Sequence, residues 1–527
     1  MEIRKKRDFG LLLACCLLLL SCSSPKVPDN AKSVNQLPSI YPDYTEVTVP
    51  ANICPMNFML TDGSEEAVAR LTVGGLSYVA GTDCKLIVDE GQWQELRDAA
   101  RGKSISIEVF GRKGEQWTAY KPFNIYVADD DIDEYISFRL IRPSYVVYDE
   151  LSIVQRNLTN FDESDIYNNK LVMKENEGHC INCHSYRNYN PDSLLFHMRQ
   201  SYGGTMIACD GKLQKVDLKT DSTLSAGVYP AWHPTIDVIA FSTNLTAQLF
   251  YLHGEDKVEV FDSESDLILY DLNKKEVSHI SNAPDEMEVF PTWSPDGKTL
   301  YYCSAHFEYA EDTVKHEVQI LSHLNELHYN LYARSFDPKT RKFGEPRLIY
   351  DAASRGKSVT LPRVSPDGKY IAFAQGRQGC CQIWHNDADI MVKHLSPSPL
   401  KGDSGFGSGS EPGLKGQSQG QSQGQVQGQS QSSESESASG LNTKYAESYP
   451  SFSSNGRWLM AASRCDDGNY SRVRIAYFDK NGKLRKGFVL PQQDPEYNIM
   501  FNRSFNRPEF MRGPVTVSPR EFAAKAM

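Results

Sequence analysis

Phe290-Pro291-Thr292-Trp293-Ser294-Pro295-Asp296-Gly297 is followed, after Lys298-Thr299, by the apolar run Leu300-Tyr301-Tyr302-Cys303-Ser304. Asp-Gly tolerates positive φ, which suits a tight reversal between two strands. A short apolar, aromatic-rich run bounded by such a turn reads as a strand. The pattern recurs at Tyr229-Pro230-Ala231-Trp232-His233-Pro234, at Leu361-Pro362-Arg363-Val364-Ser365-Pro366-Asp367-Gly368 and at Tyr449-Pro450-Ser451-Phe452-Ser453-Ser454-Asn455-Gly456. The runs after these copies are VIAFS (238–242), YIAFA (370–374) and WLMAAS (458–463). A further strand repeats between copies: LILYDL (267–272), NLYARSF (330–336) and VRIAYFD (473–479), with KLQKVDL (212–218) as a weaker first copy. Four-stranded sheets that expose two apolar faces bury them by stacking radially.

These Pro-Asp-Gly copies resemble the blades of TolB-like β-propellers, a WD-related class. The resemblance covers roughly 300 residues and four copies, of which His233-Pro234-Thr235 is degenerate. A fifth, weak copy stands at Phe505-Asn506-Arg507-Pro508, so five or six blades are expected. The resemblance implies a propeller over 206–515 that docks a partner protein. Within it, residues 396–444 are Gly, Ser and Gln-rich, a composition that forms no core, and read as a disordered insert. Gly416-Gln417-Ser418-Gln419-Gly420 matches a hydrolase elbow but has neither a buried strand before it nor a helix after it. No other hydrolase constellation is evident.

Working outward, residues 40–145 contain ISIEVFG (105–111) and WTAYKPFNIYVA (117–128). These read as the short strands of a β-sandwich of immunoglobulin type, which Cys54 and Cys84 could staple, although spacing alone does not establish that pair. At the start, Arg4-Lys5-Lys6-Arg7 precedes an apolar run, Phe9 to Leu20, that is shorter than the roughly 20 residues a bilayer span needs. The run ends in Leu19-Leu20-Ser21-Cys22, which resembles a bacterial lipobox. That resemblance implies a signal peptide over 1–21, a lipid on Cys22, a tether over 22–39, and a protein anchored in the cell envelope of a Gram-negative-type bacterium, at the outer membrane facing the periplasm. The formal net charge of −11 disfavours nucleic acid as a partner. With 40% hydrophobic and 23% charged residues, the chain is neither collagen-like nor a multi-pass membrane protein.

Between sandwich and propeller, residues 146–205 carry Cys180-Ile181-Asn182-Cys183-His184. C-x-x-C-H is the attachment motif of c-type haem: two thiols bind the porphyrin edge and the next histidine ligates iron. With Cys and His each at 12 of 527 residues, the chance of one such match is about 0.006 if residues are independent. A redox disulfide, a zinc half-site and a structural bridge are the competing uses. Cys180 and Cys183 are therefore the expected haem c attachment residues and His184 the proximal iron ligand. Residues 194–199 (LLFHMR) read as a short helix after Asp192-Ser193, and offer His197 or Met198 as the distal ligand.

The expected architecture is thus mainly β: a sandwich, a short helical c-haem segment and a five- or six-bladed propeller. The expected function is a lipid-anchored monohaem cytochrome whose propeller docks an envelope or redox partner, for electron transfer or redox sensing. The alternative is a non-enzymatic binding scaffold in which C-x-x-C-H is structural only.

Overall fold

The computed structural model describes residues 25–81, 83–142, 150–172, 179–254, 256–310, 314–395, 436–437 and 440–527. The signal segment, Cys22 and most of the Gly/Ser/Gln-rich insert lie outside these residues.

The chain is mainly β, and each repeat copy forms the first strand of a sheet. Val228–Trp232, Glu286–Trp293, Ser358–Val364 and Glu447–Phe452 each pair with the run that follows the turn, Val238–Phe250, Thr299–His306, Tyr370–Gly376 and Trp458–Ser463. The repeated third strands add next, at Val258–Asp271, Asn330–Asp337, Asp389–His394 and Arg472–Tyr477, and a short fourth strand closes each sheet. Ser294 and Ser365 hydroxyls donate to Asp296 and Asp367 in the turns, and Ser453 donates to Asn455. Gly297, Gly368 and Gly456 take positive φ there.

Two further four-stranded sheets flank these four. The first consists of His179–Arg187, Asn190–Gln200, Gly204–Cys209 and Lys212–Val216. The last takes its first strand, Ser504–Met511, from the end of the chain and the other three, Tyr135–Ile141, Ser152–Asn157 and Glu163–Asn168, from before the first sheet. The six first strands pack on one another in succession, and Ser504–Met511 also meets His179–Arg187. Phe505-Asn506-Arg507-Pro508 is thus a true repeat copy, completed by residues far away in sequence.

Three expectations change. Residues 194–199 are strand and not helix, because Asn188 and Tyr189 both adopt positive φ and turn the chain straight back, with Arg187 opposite Asn190. Ser193 to Met198 are all buried, and an apolar run buried on both faces carries no period that separates strand from helix. The 146–205 segment is therefore not a separate helical unit, since its strands belong to the last and the first sheets. Finally, KLQKVDL supplies the outer fourth strand of its sheet and not the third.

The N-terminal part has a seven-stranded sheet built around Ser104–Lys113, a three-stranded sheet, and a helix, Glu90–Ala99, capped by the Asp89 carboxylate. Trp93, Ile105 and Phe123 share one core with Trp458, Ile475 and Phe488 of the fifth sheet. Polar contacts cross the same boundary: Tyr477 donates to Asp130 (2.6 Å) and the Trp458 indole to the Asp131 carbonyl (3.0 Å). Cys54 and Cys84 are free thiols, as are the other seven cysteines among the described residues.

Candidate functional site

Every first strand breaks its ladder at the same place. Pairing skips from Val228 to Ala231, Val289 to Thr292, Thr360 to Arg363, Ser448 to Ser451 and Asn506 to Glu509. In each case the partner strand advances by two residues while the first strand advances by three, which defines a β-bulge. The extra residue has positive φ: Tyr229, Phe290, Leu361, Tyr449 and Arg507. A proline follows each one, where a missing N–H does no harm to a ladder already interrupted.

The first sheet makes the same bulge, from Asn182 to Ser185, and its positive-φ residue is Cys183. His184 stands where the other five sheets have proline. Cys-Ile-Asn-Cys-His is thus the first sheet's copy of the repeat, hidden because Asn188-Tyr189 replaces Asp-Gly in the turn.

The bulge residues converge on the middle of the ring. Tyr229 and Phe290 meet edge to face with ring centroids 4.5 Å apart. Cys183 is buried, close enough to Tyr229, Tyr449 and Arg507 to influence their ionisation. His184 is fully buried and lies edge-on to Tyr186 at 6.3 Å. Burial, and then Arg507 and Arg139, push its pKa well below the ordinary histidine value, against a weak opposing effect of the Ser137 backbone. Neither ring nitrogen has a well-formed hydrogen bond.

This arrangement does not fit a covalent haem. Attachment needs both thiols at one porphyrin edge and the imidazole over the ring. Here Cys180 faces an open cavity, whereas Cys183 and His184 are buried and do not line it. His197 is buried against Thr205, with Nδ1 3.3 Å from its hydroxyl, and desolvation followed by the nearby Arg199 charge lowers its pKa to about 3. Met198 is opposite Ile181 and packs with Phe196, Met206 and Phe522. Neither lines the cavity. Among the described residues no cluster of three or more His, Cys, Asp or Glu side chains is placed to hold a metal ion.

The cavity, of about 460 Å³, opens at the end of the ring where the first strands begin. Asn182, Asn506, Tyr229 and Tyr449 line it beside Cys180 and Cys381. Four arginines also line it: Arg139, Arg142, Arg199 and Arg464. Sequence reasoning missed all four, because they come from the last, first and fifth sheets and only ring closure brings them together. A second cavity, of about 490 Å³, opens at the opposite end, beside Trp232, Trp293, Arg363 and Glu509.

The fold and this axial geometry define a mainly β, propeller-like protein, and β-propeller proteins are among its structural neighbours. No protein-family model matches the chain, and no curated protein matches it. Among solved structures it is similar to prolyl endopeptidases (TM-score 0.33, 12% identity, 68% of this chain and 42% of that one). A puromycin-hydrolysing peptidase of Mycobacterium tuberculosis gives TM-score 0.33 and 6% identity, over 86% of this chain and 50% of that one. The β-propeller domain of Swd1 from Myceliophteria thermophila gives TM-score 0.28 and 11% identity, over 60% and 87%. The chain spans half or less of the two peptidases' length.

Proposed function

We propose that this chain is a non-enzymatic binding scaffold of the cell envelope: a six-bladed, TolB-like propeller carrying an N-terminal β-sandwich, lipid-anchored through Cys22, which docks an envelope partner and receives a ligand at its axis. The observation that carries this reading is the sixfold bulge. Cys183-His184 occupies the position that Tyr229-Pro230, Phe290-Pro291, Leu361-Pro362, Tyr449-Pro450 and Arg507-Pro508 occupy in the other blades. That position gives C-x-x-C-H a structural task without a cofactor.

The test is haem-dependent peroxidase staining of the denatured protein, made in cells known to mature other c-type cytochromes. The expected result is no stain. A covalent haem signal lost in Cys180→Ser/Cys183→Ser would overturn the scaffold reading and restore a haem c cytochrome with electron-transfer or redox-sensing work.

A further inference from the structure

The cavity at the head of the ring is unusual in its charge. The chain carries a net −11, yet four arginines and no carboxylate line this cavity. Arg142 is compensated, by Glu150 at 2.5 Å. Arg464 stacks on Trp384 at 3.9 Å and donates to the carbonyls of Gly468 and Asn469. Arg139, only 7% exposed, donates to the Ile181 carbonyl (3.0 Å) and to Asn506 Oδ1 (3.3 Å), and its Nε has no partner. Arg199 is exposed at the rim.

Two acids behind the wall, Glu259 and Asp262, do not line the cavity, and Glu259 pairs with His385. Asp262 accepts hydrogen bonds from Asn244 and Thr246, each at 2.6 Å, and burial raises its pKa. The opposite cavity makes the contrast. There the lining itself includes a carboxylate, Glu509, which pairs with Arg363 and Arg507 and offsets part of the positive charge inside the protein. At the head of the ring a buried guanidinium faces the cavity with only neutral acceptors, and its field is focused by low-dielectric walls. Arginine's planar fork matches carboxylate and phosphate oxygens.

We infer that this cavity binds a small organic anion bearing at least two oxyanion groups, one seated between Arg139 and Asn506 and the other held by Arg199 at the rim, with Tyr229 and Tyr449 against its carbon body. The volume falls in the range of small-molecule sites, roughly 300–1,000 Å³. Carboxylates and phosphates share this chemistry. The inference rests on the scaffold reading above and names its ligand.

The experiment is calorimetric titration of the full mature chain with citrate, with inorganic phosphate, and with a neutral disaccharide. Citrate binding stronger than phosphate supports the inference; phosphate binding as tight as citrate or tighter overturns the requirement for two oxyanion groups on a carbon body. Arg199→Gln should weaken binding roughly tenfold or more, the loss of one charge-assisted hydrogen bond. Lys212→Gln, on the outer edge of the first sheet, should leave it unchanged. Arg199 is exposed, so its substitution does not threaten folding; Arg139→Gln provides the second arm, checked by circular dichroism. No binding of either anion up to about 10 mM, weaker than any useful site, overturns the inference. So does binding that Arg199→Gln and a folded Arg139→Gln leave intact. Disaccharide binding without anion binding overturns the ligand class and leaves the scaffold standing, whereas only the haem stain removes the scaffold itself.

Discussion

His184→Pro separates the two uses of Cys-Ile-Asn-Cys-His most directly. A haem ligand cannot be proline, whereas a blade bulge has proline at this position five times in six. The magnitude follows from the site. Removing the imidazole deletes two buried nitrogens without well-formed hydrogen bonds, each type of group costing about 1–3 kcal/mol when left unsatisfied. Proline further restricts the unfolded chain, which contributes about 0.4–1 kcal/mol. Against these gains, the smaller ring leaves part of the imidazole volume empty, at a cost of about 1–2 kcal/mol. On these figures the gains match or exceed the cost, so the substitution should be neutral to stabilising.

The assay is urea unfolding followed by tryptophan fluorescence, to which Trp232 reports well because its indole donates to the Ser185 carbonyl at 3.3 Å. Leu195→Pro, in the second strand with ladders on both sides, is the reference and should cost about 3 kcal/mol or more. The pH profile adds a second signature. His184 stays neutral in the native state, while an unfolded histidine titrates near 6.5. Its stabilising effect is therefore complete above pH 6.5 and is lost as pH falls below it, with a limiting slope of about 1.4 kcal/mol per pH unit. His184→Pro should remove that share of the acid limb. A loss as large as that of Leu195→Pro, in a background where His184→Ala folds normally, would refute the bulge assignment.

Glu288 is buried and its pKa is raised to about 8 by desolvation, then by Asp266 and Glu286. A carboxyl raised on folding holds its proton in the native state, so stability falls as pH rises from about 4.5 towards 8. Glu288→Gln should flatten denaturation midpoints across that window, and an unchanged profile would show that Glu288 ionises freely. Deleting residues 402–432 should leave the melting temperature nearly unchanged, because loop closure entropy varies slowly with length; a broad, non-cooperative transition would show that the insert is structural. Cys22→Ala should move the protein from the membrane to the soluble fraction or leave it unprocessed, and full membrane retention after a salt wash would exclude lipid anchoring.

Much of the ring was legible because its signal is local. Pro-Asp-Gly turns, the apolar runs after them and the weak copy at Phe505–Pro508 all fall on first and second strands. The first sheet was not legible, for two physical reasons. Asn188 and Tyr189 make the same reversal as Asp-Gly without its sequence signature. Also, Ser193 to Met198 are buried on both faces, which erases the alternation that marks a half-buried strand. The cysteine motif then drew attention to cofactor chemistry, although spacing alone does not say whether two thiols share a face. In a bulged strand Cys180 reaches the cavity and Cys183 is buried near the axis. Arg139, Arg142, Arg199 and Arg464 had no local signature at all.

Closure also ties the cavity to stability. Arg139 comes from a strand that precedes the first sheet, and its partner Asn506 comes from the last strand of the ring. Arg139 also holds the Ile181 carbonyl of the first sheet, so one side chain spans the seam where the two ends of the chain meet. The N-terminal core extends through Phe138 and Phe505, whose rings pack edge to face at 4.7 Å across the same pair of strands. The C-terminal helix, Pro519–Ala526, seals the other side by burying Phe522 against Phe196. An anion seated on Arg139 therefore binds only the closed ring. By linkage, a ligand at about a hundred times its dissociation constant stabilises that closed state by about 2.7 kcal/mol. At this seam sheet pairing depends on residues far apart in sequence, so a ligand held by Arg139 would be coupled to ring closure.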